Sequence, residues 1–245
     1  MTSLKTIVLI ALLVISMVSK SIAQDEDYQR IPLIGSQAPV FKAPSTNGML
    51  SFPADFGNEW KILFAHPRDF TPVCSSEILG LAHRQKEFED LGANIIIISV
   101  DRMASHKSWK AELESVSYKG WKPVKINFPL VADSSSVIAR KYGMIDTRTG
   151  SGQSVRGVFF IDPGNEIRAF HFYPNEVGRS TDEILRTLRA LQKQQNTENT
   201  VIPADWQPGD DVMIPILSEK DKKELQKPDS KIHYINWYMI FRKQE

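Results

Sequence analysis

A chain of 245 residues, 42% hydrophobic and 24% charged, is long enough for one large or two small domains and has ordinary globular composition, which speaks against a membrane-embedded or disordered body. Its 30 basic and 29 acidic residues leave a formal charge of +1, so there is no electrostatic footprint for nucleic acid. One cysteine, Cys74, excludes an internal disulfide and Cys-x-x-Cys dithiol exchange.

The first 23 residues carry an address. Residues 1–6 contain one lysine, 7–18 form an apolar and small-residue run, and Ser21-Ile22-Ala23 offers small residues where a signal peptidase reads. The pattern predicts a secretory signal peptide cleaved after Ala23, hence a periplasmic or secreted protein. An uncleaved membrane anchor is the alternative, but about twelve apolar residues fall short of the ~20 that span a bilayer. Removal of Lys5 and Lys20 takes the formal charge from +1 to about −1. In an oxidising compartment, a lone cysteine is a buried hydrophobe, an intermolecular link or a reactive thiol.

The body alternates strands and helices. Apolar runs predict strands at 61–65, 94–100, 128–132, 155–161 and 166–172, and Asn94-Ile-Ile-Ile-Ile-Ser-Val100 is apolar on both faces, as a covered central strand should be. Helical spacing predicts helices at 75–91, 103–116, 135–142 and 181–194. Asp133 or Ser134 is placed to cap the third, and Ser180 before Thr181-Asp182-Glu183 gives a capping-box pattern for the fourth. Asp162-Pro163-Gly164-Asn165 predicts a tight hairpin turn. This order implies an α/β fold with a mixed sheet. After residue 194, a polar link leads to a segment broken by Pro203, Pro208, Pro215 and Pro228, and then to an alternating stretch, 231–242, that reads as one strand.

Cys74 sits where the strand at 61–65 hands over to a helix, in the stretch Ala65-His-Pro-Arg-Asp-Phe-Thr-Pro-Val-Cys-Ser-Ser-Glu77. Pro67 and Pro72 restrict the loop, and Pro72 near the helix start lacks no donor that the helix would use. A cysteine in the first helical turn meets unpaired N–H groups and the positive end of the dipole, which favour the thiolate. That is the chemistry of a nucleophile.

The spacing Pro67-x-x-x-Thr71-x-x-Cys74, with His66 before it and Glu77 after it, closely resembles the active-site signature of the peroxiredoxins, thiol peroxidases of thioredoxin-like fold. Three further segments are similar to that family: Val155-Arg-Gly-Val-Phe-Phe-Ile-Asp162, Tyr173-Pro-Asn-Glu-Val-Gly-Arg-Ser-Thr-Asp-Glu-Ile-Leu-Arg186 and Asp205-Trp-Gln-Pro-Gly-Asp-Asp-Val-Met213. The last resembles the one-cysteine, mammalian peroxiredoxin-six branch. The resemblance spans roughly residues 34–215. It divides the chain into a signal peptide (1–23), a thioredoxin-like peroxidase domain (24–195) and a small C-terminal domain (196–245) expected to contribute to a homodimer or higher homo-oligomer.

The resemblance also assigns roles. Cys74 becomes the peroxidatic nucleophile, Arg156 the always-charged fork that holds the thiolate and polarises the leaving oxygen, and Thr71 a hydroxyl for sulfur and peroxide. Pro67 becomes a shield against water. Glu77 and Arg179 follow as partners that hold the site in place. His66 remains a base, a metal ligand or a packed histidine at the strand end. The other histidines show no metal-site spacing, so neither a metal nor a cofactor is expected. With no second cysteine, peroxide would oxidise Cys74 to a sulfenic acid that an external thiol must reduce. A redox sensor or an oligomeric holdase is the alternative use of the same thiol. Branch members with phospholipase activity resemble a G-D-S-W-G elbow, which here reads Gly57-Asn58-Glu59-Trp60-Lys61, with Pro53 where an upstream histidine would stand. Lipid hydrolysis is therefore not expected.

Overall fold

A central sheet of seven strands organises the computed structural model, which describes residues 30–148 and 152–244. The expected signal peptide and the mature terminus after it lie outside the described residues. The strands are β1 (Phe41–Ser45), β2 (Gly48–Phe52), β3 (Trp60–Ala65), β4 (Ala93–Ser99), β5 (Leu130–Ala132), β6 (Arg156–Ile161) and β7 (Ile167–Tyr173). They lie side by side as β2-β1-β5-β4-β3-β6-β7. β3, β4 and β5 are parallel neighbours, and the remaining pairs are antiparallel. The sheet is thus mixed, as expected.

The side-chain period of two explains how the sheet builds two cores. Ile62, Phe64, Ile95, Ile97, Val158 and Phe160 face one side, against helices α1 (Pro72–Asp90), α2 (Met103–Leu113) and α4 (Thr181–Asn196). Leu63, Ala65, Ile96, Ile98, Phe159 and Ile161 face the other, against Phe41 and Phe52 of the β1–β2 hairpin and Ile138 of α3 (Val137–Lys141). β3 and β6 are buried along their whole length, so both positions in each pleat are apolar, with two exceptions. Lys61 is fully buried, yet its Nζ donates to Gly57 O at 2.9 Å and Asn165 Oδ1 at 2.7 Å, and burial draws its amine below the ordinary lysine value. Arg156 is the other exception.

Several expectations change. The hairpin at 41–52 was not foreseen; Pro44 stands inside β1, in register with Met49 of β2. α1 begins at Pro72 rather than Ser75, so Cys74 is its third residue. Asp133 does supply α3, accepting the Ala139 N–H at 2.7 Å, but the residue before the helix is Ser136, whose own side chain caps nothing. Ser180 caps α4 through the Glu183 N–H, and the Asp162–Asn165 turn closes with a 2.9 Å bond and Asn165 at φ 65°.

The C-terminal stretch differs most. Residues 231–242 form two strands, β9 (Ile232–Asn236) and β10 (Met239–Arg242), folded back at Trp237 and Tyr238 and joined by β8 (Val212–Met213) in the order β8-β10-β9. α5 (Glu219–Leu225) carries a full capping box between Ser218 and Asp221. Ile214, Ile232 and Ile240 form this unit's core. Among the described residues no helix is long and apolar enough to cross a membrane.

Candidate active site

β3 delivers the chain to the site at Ala65, and the His66 N–H extends its ladder by bonding Ile98 O at 3.1 Å. Six residues later, α1 begins, with Pro72 in its first position, where a missing N–H costs nothing. Cys74 therefore lies in the first turn, and it is 0% exposed. Arg156, the first residue of β6, reaches it from the sheet: Nη1 donates to Cys74 Sγ at 3.2 Å and to Glu77 Oε2 at 2.7 Å. Its Nε and Nη2 donate to the backbone O of Asn175 at 2.9 and 2.7 Å.

Glu77 stands three residues after Cys74 on the same helical face. Arg179, from the loop between β7 and α4, grips it with its backbone N, Nε and Nη2 at 2.8, 2.9 and 2.9 Å, and gives Nη1 to Gly157 O at 2.7 Å. The Arg179 guanidinium lies 3.3 Å over the Phe64 ring. Burial lowers its pKa from the usual arginine value, while Glu77 opposes that shift; a guanidinium remains charged throughout. A Cβ at Gly157 would come within 2.6 Å of Met144 Sδ, so a larger residue here would have to displace that side chain. The buried cluster thus holds two cations and one carboxylate, and a thiolate at Cys74 brings its sum to zero.

The structure brings together Cys74, Arg156, Glu77 and Arg179. Pro67 is buried in the adjoining loop. Thr71 is the residue before α1, but its Oγ1 donates to Arg68 O at 3.0 Å rather than to the sulfur as expected. His66 faces elsewhere. It is fully buried, with Nε2 at 3.1 Å from Asp69 Oδ1 and its ring edge against Trp109. Burial first, then His106 and the two arginines, hold its pKa well below the ordinary histidine value. Of the three roles left open, packing at the strand end matches this geometry.

Sequence reasoning missed Asp69. Its carboxylate meets His66, His106 Nδ1 at 2.9 Å and Ser105 Oγ at 2.7 Å, and its N–H donates to Asp101 Oδ2 at 2.8 Å. It ties the cysteine loop, where Phe70 holds a φ of 55°, to α2. No spacing reveals the grouping, because Asp69 and His106 lie 37 residues apart. Among the described residues, His66, Asp69 and His106 also bring potential cation ligands within 4.8 Å of one another, a convergence that the spacing of histidines did not suggest. In this structure those atoms hydrogen-bond to each other. Glu59, at the expected non-hydrolytic elbow, is exposed and accepts from Asn94.

Residues 34–170 match the AhpC/TSA family, and residues 190–227 match the C-terminal domain of 1-Cys peroxiredoxin. The chain belongs to the peroxiredoxin family. A peroxiredoxin of Methanosarcina mazei is 41% identical over 216 residues, covering 87% of this chain and 98% of the relative, and the mitochondrial peroxiredoxin of Saccharomyces cerevisiae is 36% identical over 86% and 81%. Two solved structures superpose closely. A cysteine-to-serine mutant of peroxiredoxin 6 from Arenicola marina gives a TM-score of 0.77 at 33% identity, covering 87% of this peroxiredoxin and 99% of that chain. The yeast mitochondrial 1-Cys peroxiredoxin, studied for thiol resolution through glutathione and thioredoxin systems, gives 0.76 at 35%, covering 87% and 100%. With one cysteine in the chain, this peroxiredoxin is a thiol peroxidase of the one-cysteine mechanism.

Proposed function

We propose that the peroxiredoxin is exported, forms a homodimer or higher homo-oligomer, and reduces hydrogen peroxide and organic hydroperoxides at Cys74, with an external thiol as reductant. The Cys74 thiolate attacks the terminal peroxide oxygen. The O–O bond breaks, the sulfur is oxidised to sulfenic acid, and the departing hydroxide or alkoxide takes a proton to leave as water or alcohol. One external thiol then displaces the hydroxyl as water to give a mixed disulfide, and a second releases Cys74 and carries away the disulfide.

The observation that carries this reading is the 3.2 Å contact from Arg156 Nη1 to Cys74 Sγ inside a charge-balanced, buried cluster. Arg156 is the donor next to the reacting atoms, and Glu77 and Arg179 set its angle. Thr71 spends its proton on Arg68 O, which leaves the lone pairs of Oγ1 to accept the peroxide O–H. Pro67 limits access of water. Export rests on the pattern of residues 1–23. A self-association surface is supported by the edge strand β7 and by the exposed Tyr234, Ile235, Trp237 and Tyr238. The class of reductant follows by analogy with the yeast relative.

The test is hydrogen-peroxide consumption by the chain from Gln24 with dithiothreitol, beside Cys74→Ser. Turnover by the wild type and none in the variant is expected. A stoichiometric burst without turnover would instead favour a sensor, and turnover retained in Cys74→Ser would overturn the assignment of the nucleophile.

A further inference from the structure

Arg156 is held from two sides, and the two are unequal. On one side, Glu77 is itself fixed by three bonds from Arg179. On the other, the Arg156 Nε and Nη2 both rest on a single backbone oxygen, that of Asn175. That oxygen belongs to an exposed connection: Pro174, Glu176, Val177 and Gly178 all face solvent. A carbonyl on such a segment needs a separate anchor to aim a guanidinium.

The anchor is Asp146. Asn175 Nδ2 donates to Asp146 Oδ2 at 3.2 Å. Asp146 is 2% exposed although it lies in the connection between α3 and β6. Its backbone N–H bonds Gln153 O at 2.8 Å, and Arg148 fixes the carboxylate through its backbone N and Nε on Oδ1, at 3.0 and 3.1 Å, and Nη2 on Oδ2, at 2.9 Å. Bonding to Arg148 holds this carboxyl below the usual carboxylate range. Asn175 Oδ1, by contrast, is buried without a partner, so the amide is oriented through its nitrogen alone.

We infer that Asp146 is a positioning residue for the peroxide reaction, acting through Asn175 on the aim of Arg156 at the peroxide oxygens. The inference rests on the proposed role of Arg156. Asp146 bonds none of the reacting groups. Its two oxygens both receive donors, Arg148 on each and Asn175 on one. An amide in its place must therefore turn an NH2 toward a donor whichever way it flips. A carboxylate at position 175 would face Asp146 as a like charge. Exchanging both residues removes the like-charge clash and restores one donor and one acceptor between positions 146 and 175, while an NH2 at position 146 still faces an Arg148 donor.

The experiment compares the full mature chain with Asp146→Asn, Asn175→Asp and the double exchange, plus Arg156→Gln. Two rates are read for each at pH 7: Cys74 oxidation by hydrogen peroxide in competition with a haem peroxidase reporter, and Cys74 alkylation by iodoacetamide, which needs no aligned oxygen. Each single exchange is expected to slow oxidation about tenfold or more, with alkylation within about threefold of wild type, and the double exchange is expected to recover part of that loss and oxidise faster than either single. Unchanged oxidation in Asp146→Asn would overturn the inference. So would a double exchange no faster than the singles, or a parallel fall in both rates, which would mark general loosening. Normal oxidation in Arg156→Gln would remove the proposed role of Arg156, and this inference with it; slow oxidation there with normal oxidation in Asp146→Asn would sink the inference alone.

Discussion

At the scale of single residues, the site works through partners rather than positions. Thr71 shows this: the sequence places a hydroxyl three residues before the nucleophile, and the fold directs its proton to Arg68 O. Its remaining value is as an acceptor. Thr71→Val keeps the shape and removes the oxygen, and is expected to slow peroxide reduction by about 10²–10³-fold, the loss typical of one oriented polar contact to the reacting oxygens; stopped-flow oxidation rates check it. His66 gives a second prediction, for stability. In the unfolded chain its imidazole takes a proton below about pH 6.5, whereas burial in the fold resists that proton. The unfolded state therefore binds more protons there, and stability present above about pH 6.5 falls as the pH drops toward the folded value. His171, half-buried and shifted in the same direction by burial, adds the same sign. Denaturant midpoints between pH 7 and 5 are expected to fall less steeply in His66→Asn than in wild type. Cys74, Glu77, Arg156 and Arg179 were legible in the sequence because each lies in a short, specific segment. Asp69, Asn175 and Asp146 were not, because what defines them is convergence: His106 meets Asp69 from α2, and Asp146 meets Asn175 across 29 residues of chain.

At the scale of elements, the strands that carry the site were the easiest to read. β3, β4 and β6 are continuous apolar runs, and a run buried on both faces can only be central. The short β1 and β2 escaped because Pro44 interrupts the apolar pattern of β1, a five-residue strand that buries only alternate residues, Phe41, Ala43 and Ser45. β9 and β10 read as one strand because their turn, at Trp237 and Tyr238, contains neither glycine nor proline; Asn236 serves instead, accepting the Trp237 N–H at 2.7 Å. One position links element packing to catalysis. At Gly157 β6 passes so close to Met144 and Phe172 that a methyl group would lie within about 3 Å of both, and its carbonyl seats Arg179. Gly157→Ala is expected to cost about 1–3 kcal/mol, read in a urea unfolding curve, and to slow Cys74 oxidation as the arginine shifts. A stability and rate equal to wild type would mean that Met144 yields freely.

At the scale of the whole molecule, the apolar hairpin of the C-terminal unit stands out. Trp237 is 82% exposed and Ile235 72%, a surface that a chain isolated in water would not favour. Trp237→Glu is expected to shift the proposed oligomer toward monomer in sedimentation velocity with little change in the far-ultraviolet spectrum; an unchanged sedimentation coefficient would place self-association elsewhere. The division into a peroxidase domain and a small C-terminal unit was visible as a change from regular periodicity to proline-broken sequence, although the capped helix α5 inside that unit was too short to show a period. The buried cluster around Cys74 reaches beyond the first oxidation step. Two guanidiniums and one carboxylate are in balance only while sulfur carries a negative charge, so a neutral sulfenic acid leaves an unmatched cation sealed from water. Two events restore neutrality: the arrival of an anionic thiolate, which begins the reduction, or a second oxidation to sulfinate, which ends the cycle. The same electrostatics that prepare the nucleophile therefore set its repair and its inactivation in competition for one vacant charge.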